Sequence, residues 1–260
     1  MTPLFAATLL GLGFCGAFVA GLLGVGGAIV MIPLLLYVPP LLGVGALDIK
    51  AVSGVTMAQV FIAALSGVLA HRRHRAVHAE LMWLGGLAMA GGSLLGALVS
   101  KYVAGKWLLL VFAVMATAAV TLMFIPVETT EPPWGVPLRF SRRRIFWVAG
   151  TVGVAAGLIG AGGAFLLVPL LLVVVKVPIR LTIGSSLGII ALAATAGFIG
   201  KLATGQVPLA AALAVAVGAL PGAQVGAALS HRVAGHQLKW ALAAIILVSV
   251  ARVWWDLLKP

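Results

Sequence analysis

A glycine-rich segment inside a long apolar run occurs twice in this chain. The first copy is Gly21-Leu22-Leu23-Gly24-Val25-Gly26-Gly27-Ala28-Ile29-Val30-Met31-Ile32-Pro33, and the second is Gly157-Leu158-Ile159-Gly160-Ala161-Gly162-Gly163-Ala164-Phe165-Leu166-Leu167-Val168-Pro169. Comparing Ala20–Leu36 with Ala156–Leu172, 11 of 17 positions are identical. Glycine holds helix poorly. Helix-free backbone at membrane depth survives only where protein or a wet cavity satisfies its polar groups. Two such interruptions, one in each half of a chain, are the strongest sequence pointer to a transport site.

The flanking runs set the class. Of 260 residues, 63% are hydrophobic and 8% charged, whereas a soluble domain carries about 25% charged residues. Apolar runs near the roughly 20 residues needed to cross a bilayer recur along the whole length. They are continuous rather than alternating, which excludes a β-barrel. The expectation is an all-α integral membrane protein of about eight spans, in two four-span repeats.

The spans are placed at about 4–38 (broken at Gly24–Gly27), 49–70, 81–99, 107–125, 145–175 (broken at Gly160–Gly163), 181–199, 209–229 and 238–258. Pro39-Pro40 are read as ending the first and Lys201 to Gln206 as a loop. Residues 1–125 form the first repeat, 126–141 a proline-bearing linker, and 142–260 the second repeat. Beyond the break the repeats align with a shift of six residues, pairing Lys50 with Arg180, Gly54 with Gly184, Thr56 with Ser186, Gly92 with Gly222, and Gly96 with Gly226. If each broken span is a hairpin of two half-helices, the halves are inverted and Lys/Arg divide eleven inside to six outside; single crossings give parallel halves and ten to seven. The charge count does not separate these, and the length of the broken runs favours the inverted arrangement.

Net charge is +12, from 17 Lys/Arg against five acids. Basic loops on the cytoplasmic side account for this under the positive-inside rule, and an electropositive route for anions is the second reading. The basic residues form no domain, so nucleic-acid binding is not expected. The lone Cys15 excludes a disulfide framework. The start lacks a basic stretch, so no cleavable signal peptide is expected. Tryptophans near span ends suit an interfacial belt.

Three features bear on chemistry. A half-helix starting after Gly26-Gly27 or Gly162-Gly163 points free N–H groups and a positive dipole end into the protein, where an anion gains hydrogen bonds. Spans 2 and 6 open with hydroxyl and amide groups, Ser53, Thr56 and Gln59 in one and Thr182, Ser185 and Ser186 in the other, which suit an oxyanion that must be bound and released. Lys50 and Arg180 precede them as a vestibule or as interfacial anchors. Lys201 and Gln224 are weaker candidates. Glycines at four-residue spacing in spans 3 and 7 read as helix packing. The third feature is that all five acids and all five histidines fall in loops or at span ends, so no buried proton relay is evident. No metal site, cofactor or catalytic group is expected, and the chain is not read as an enzyme. An inside-negative cell expels a monoanion with about 2.3 kcal/mol per 100 mV, which favours export or exchange.

These residues resemble the sulfite exporter TauE/SafE family, also called the 4-toluene sulfonate uptake permeases. The resemblance rests on Gly21-x-x-Gly24-x-Gly26-Gly27…Pro33 and Gly157-x-x-Gly160-x-Gly162-Gly163…Pro169, each followed by a hydroxyl-bearing span. It implies a multi-pass transporter of the bacterial or archaeal cytoplasmic membrane for sulfite or organosulfonates. Another small organic anion, or an anion channel, is the alternative. The partners implied are that small anion and the lipid bilayer, with oligomeric state open and a homodimer one form of it. The halves are not equal: Gly184-Ser185-Ser186 faces Gly54-Val55-Thr56.

Overall fold

A computed structural model describes residues 1–23, 27–71, 78–125, 140–230 and 235–258, and every regular element among them is helical. Helices α1 (Pro3–Leu23) and α2 (Ala28–Leu41) flank the first glycine break, and α6 (Arg142–Ile159) and α7 (Ala164–Leu170) flank the second. The remaining helices are α3 (Ile49–His71), α4 (Ala79–Ser100), α5 (Gly105–Met123), α8 (Ile179–Ala203), α9 (Leu209–Ser230) and α10 (Gly235–Leu258). Five segments, in α1, α4, α5, α8 and α9, are long and apolar enough to cross a membrane; α2 and Ala164–Val175 are shorter apolar helices.

Two boundaries differ from expectation. α2 runs through Pro39 and Pro40 to Leu41. Near a helix C-terminus these prolines forfeit only the bonds to the carbonyls of Leu35 and Leu36, so the helix persists. α8 extends to Ala203, which puts Lys201 on the helix and not in a loop. Pro169 similarly removes a backbone donor from α7, and the helix continues as a wider π turn over Leu171–Val175. Lys176, in the left-handed region at φ 62°, ends it. Ser141 opens α6 by accepting from the Arg144 N–H, and His78 opens α4 by accepting from the Leu81 N–H.

Small residues decide which helices meet. α4 lies along α6 and α8, and α1 lies along α9. A methyl group at Gly92 or Gly96 of α4 would overlap the carbonyl of Gly150 or Val154 on α6; one at Gly157 would overlap that of Ser93. On the other side, Gly218, Gly222 and Gly226 of α9 abut the carbonyls of Leu10, Phe14 and Phe18 on α1. The four-residue glycine spacing in spans 3 and 7 therefore brings backbones together. The first helix of each half packs on the third span of the other half.

Contacts also give direction. Gly153 with Met89, Gly157 with Ser93, and Gly200 with Ala97 show that α4, α6 and α8 run the same way. Gly54 with Gln206, at the starts of α3 and α9, and Gly218 and Gly226 with Leu10 and Phe18, align α1, α3 and α9 with one another. Phe198 stacks on Phe61 at 5.2 Å, with Ser53 level with the end of α8, so α3 and α8 are antiparallel. Gly45, just after α2, lies against the Phe5 ring at the start of α1. Arg142 pairs with Glu80, and Ser185 bonds His78, so α6 and α8 both start at the end of the molecule where α4 starts. Each broken pair thus turns back toward the end where it began.

Because Gly96 and Gly222 touch backbone, which cannot move aside, Gly96→Leu and Gly222→Leu are expected to cost roughly 1–3 kcal/mol or more. Gly11→Ala and Gly91→Ala, with nothing within 4 Å, are expected to leave stability unchanged or raise it by up to about 1 kcal/mol. Thermal unfolding in detergent checks both pairs.

Candidate functional site

Glycine is required at the breaks for a steric reason. Gly27 (φ 61°) and Gly163 (φ 71°) adopt left-handed backbone as they start α2 and α7, and Gly160 (φ 73°) does so as it ends α6. A Cβ is disfavoured in that region, and space is also lacking. A methyl at Gly160 would overlap the Ser53 carbonyl, one at Gly162 would overlap Val60, and one at Gly163 would lie 2.5 Å from Met89 Cε. At Gly27 it would sit 2.7 Å from Ala20 Cβ, with Gln59 Nε2 3.6 Å away. Gly26 lies outside the described residues.

At the second break the two sides are treated differently. The carbonyl end of α6 is closed by protein. The Ala161 N–H bonds the Ala156 carbonyl at 3.0 Å, and the Leu158 carbonyl accepts from Lys201 Nζ at 3.0 Å and from Ser53 Oγ at 3.4 Å. The amide starts of α2 and α7 have no side-chain cap. Val30 and Met31 bond the Gly27 carbonyl at 3.1 and 2.9 Å, and Leu166 and Leu167 bond the Gly163 carbonyl at 3.2 and 2.9 Å. The N–H groups of the residues just before them point out of the helix start, at its positive end.

α3 lies beside both breaks, with Ser53 and Val60 at the second and Gln59 at the first. Ser53 and Thr56 are fully buried and Gln59 is 2% exposed. Thr56 Oγ1 and Gln59 Oε1 are buried without a hydrogen-bond partner. Such atoms are few in a folded protein, because each costs about 1–3 kcal/mol. Ser93 Oγ on α4 is in the same condition and sits where a methyl on Gly197 would fall. Ser93 is not among the sequence candidates, where it reads as one more small residue among Gly91, Gly92 and Gly96. Its hydroxyl deep in an apolar span was the available signal.

The other candidates are placed elsewhere. Ser185 Oγ accepts from the His78 N–H at 3.1 Å, at the start of α4. Ser186 beside it is buried and bonded. Ser53 sits level with the far end of α4, whose 22 residues rise about 33 Å. The structure therefore brings Gln59 beside Gly27, and Ser53 and Val60 beside Gly160 and Gly162, with Thr56 between Ser53 and Gln59 on α3, and holds Ser185 and Ser186 toward the opposite end. Lys50 is half-buried and donates to the Lys101 carbonyl at 2.6 Å, capping α4. Arg180 lies on α8, and its side chain is outside the described atoms. Gln224 is exposed on α9 and lines a cavity of about 40 Å³ with Ile62, Ala63, Ala219, Leu220 and Ala223. That space suits about one water molecule.

The model of the family described as sulfite exporter TauE/SafE matches residues 9–253. A probable membrane transporter protein of Xylella fastidiosa (strain 9a5c) is 30% identical over 258 residues, covering 95% of this chain and 94% of its own. The probable membrane transporter protein YunE of Bacillus subtilis is 26% identical over 238 residues, covering 85% and 87%. An archaeal relative, the probable membrane transporter protein MJ0441 of Methanocaldococcus jannaschii, is 21% identical over 245 residues, covering 90% of each chain. No solved structure matches. With both glycine breaks and nearly all helices inside the matched region, the chain belongs to the sulfite exporter TauE/SafE family of multi-pass membrane transporters.

Proposed function

We propose that this protein is a secondary carrier for a small sulfur-containing anion, sulfite or an organosulfonate, working by export or exchange through alternating access. The anion sits at the breaks, on the uncapped starts of α2 (at Gly27) and α7 (Gly162-Gly163), with Thr56 and Gln59 of α3 completing its shell and Ser53 lying farther along α3 toward Leu158. The observation that carries this reading is the pair of buried, unpartnered atoms Thr56 Oγ1 and Gln59 Oε1 beside an uncapped helix start. An oxyanion relieves the deficit at Thr56, whose hydroxyl donates to it; Gln59 Oε1 only accepts, so Gln59 joins the shell with its amide turned to present the NH₂. No fixed counter-charge holds the ligand too tightly to leave.

The halves act as inverted repeats in this proposal. The directions of α1 and α6, of α3 and α8, and of α4 and α9 are opposite within each sequence-equivalent pair, which supports it. Eleven of the 17 Lys/Arg then belong to the end where α4, α6 and α8 start, making that end cytoplasmic. Ser185 and Ser186 lie on the cytoplasmic side and Ser53 on the outer side, so each hydroxyl group serves the site when it opens toward its own face. The close packing of Gly160, Gly162 and Gly163 against α3 and α4 suits a closed intermediate of a carrier better than a standing channel. The membrane potential supplies about 2.3 kcal/mol per 100 mV for expelling a monoanion.

Saturable sulfite flux in proteoliposomes is expected for the wild type. Gln59→Leu and Gly163→Leu should each lower it at least tenfold; wild-type rates in both variants would remove the site. Sulfite present at about a hundredfold over its Kd should stabilise the protein by roughly 2.7 kcal/mol, visible as a raised melting temperature, and Thr56→Val should reduce that gain. In a Cys15→Ala background, a membrane-impermeant maleimide is expected to label Gly45→Cys, Ala104→Cys and Thr204→Cys from outside the cell, and Ser141→Cys and Lys176→Cys, both exposed, only after the membrane is opened. Labelling of all five from one face would refute inverted halves.

A further inference from the structure

Lys201 has no role in the site described above, yet it is fully buried, on a helix that crosses the membrane. Its Nζ donates to Ser100 Oγ at 2.7 Å, to the Leu158 carbonyl at 3.0 Å and to Gln206 Oε1 at 3.2 Å. Three acceptors match the three N–H bonds of an ammonium. All three acceptors are neutral, and among the described residues no carboxylate lies within salt-bridge reach of Lys201. A buried cation without a counter-ion is costly unless something negative visits it. Gln206 is itself locked in place, with Nε2 donating to the Ala97 carbonyl at 3.2 Å and to Thr204 Oγ1 at 2.6 Å.

The Leu158 carbonyl is the informative partner. It ends a half-helix, so it carries part of the negative end of the α6 dipole. It accepts from Lys201 and from Ser53 together, one an ammonium on α8 and the other a hydroxyl on α3. An oxyanion oxygen would be held by the same two donors. From there the polar residues of α3 wind inward at three-residue steps, Lys50, Ser53, Thr56 and Gln59, over a rise of about 13 Å. Lys50 caps the adjoining end of α4 beside Ser100, and Gln59 reaches the break at Gly27.

We propose that Lys201 and Ser53 form a second, outer station for the transported anion, filled by the Leu158 carbonyl in this closed conformation. When the end of α6 moves as the outer side opens, the carbonyl withdraws and an anion oxygen takes its place. The ammonium then draws the anion from the breaks toward the outer face. Its bonds to Ser100 and Gln206 hold it in position meanwhile. The station rests on the carrier reading given above.

The test is sulfite flux measured separately from each face, in proteoliposomes sorted by orientation. Lys201→Met is expected to raise the apparent KM from the outer face at least tenfold while changing that from the cytoplasmic face less than twofold. Ser53→Ala should act in the same direction by about threefold or more, and Lys201→Arg should retain most of the outer-face affinity. A lysine that only capped α6 would lower the melting temperature and Vmax in both directions and leave both KM values alike. That result, or an outer KM unchanged in Lys201→Met, overturns the station while leaving the central site standing. A wild type with no saturable flux of sulfite, thiosulfate or short sulfonates overturns the carrier reading and the station with it.

Discussion

A helix that stops inside a bilayer leaves carbonyls and amides with no water to bond, at a cost of several kcal/mol for each group. This fold is arranged around that cost at two places. At the second break the carbonyl side is closed with unusual completeness, by a glycine turn, a serine and a buried lysine. The amide sides at Gly27 and Gly163 receive no such cap. The asymmetry has a chemical consequence. Among the described residues the carbonyl end of α6 is satisfied by protein while the helix starts at Gly27 and Gly163 carry no side-chain cap, and an uncapped start is the positive end of its helix.

Close approach of helices makes the arrangement possible. Glycines on α4 and α9 let the first helix of the opposite half press against them, backbone to backbone. The second break is enclosed in large part by the first half, through Ser53 and Val60 of α3 and Met89 of α4. α3 gains from this placement, because it lies beside both breaks and carries polar groups to each. Its counterpart α8 does not repeat the pattern: Ile189 and Ile183 stand where α3 has Gln59 and Ser53. Two halves of common pattern have therefore divided the work unequally.

Much of the fold was legible in the residues. The spans at 49–70 and 209–229 correspond to α3 and α9 within a residue at each end, because each is a continuous apolar run bounded by a charge or a loop signal. The breaks were legible because glycine pairs inside such runs have few other uses. Pro39-Pro40 misled as a stop signal, since proline harms a helix through bonds it fails to make, and near a C-terminus few remain to be lost. Lys201 misled as a loop marker, since a charge in an apolar sequence reads as the end of a span unless its partners are known. Those partners, Ser100, Leu158 and Gln206, lie 101, 43 and 5 residues away.

The residues alone determined that the chain is helical, lies in a membrane, and carries the same glycine-rich motif twice. These follow from composition and from local periodicity, which depend on neighbours a few positions apart. Only the tertiary structure decided which hydroxyls lie toward the same end of the molecule. Ser53 and Ser185 occupy similar places near the starts of their spans, but α3 and α8 run in opposite directions, which puts the two groups toward opposite ends. Helix direction and long-range partners are set by how glycine faces of distant segments fit together, and no short window of sequence contains that information.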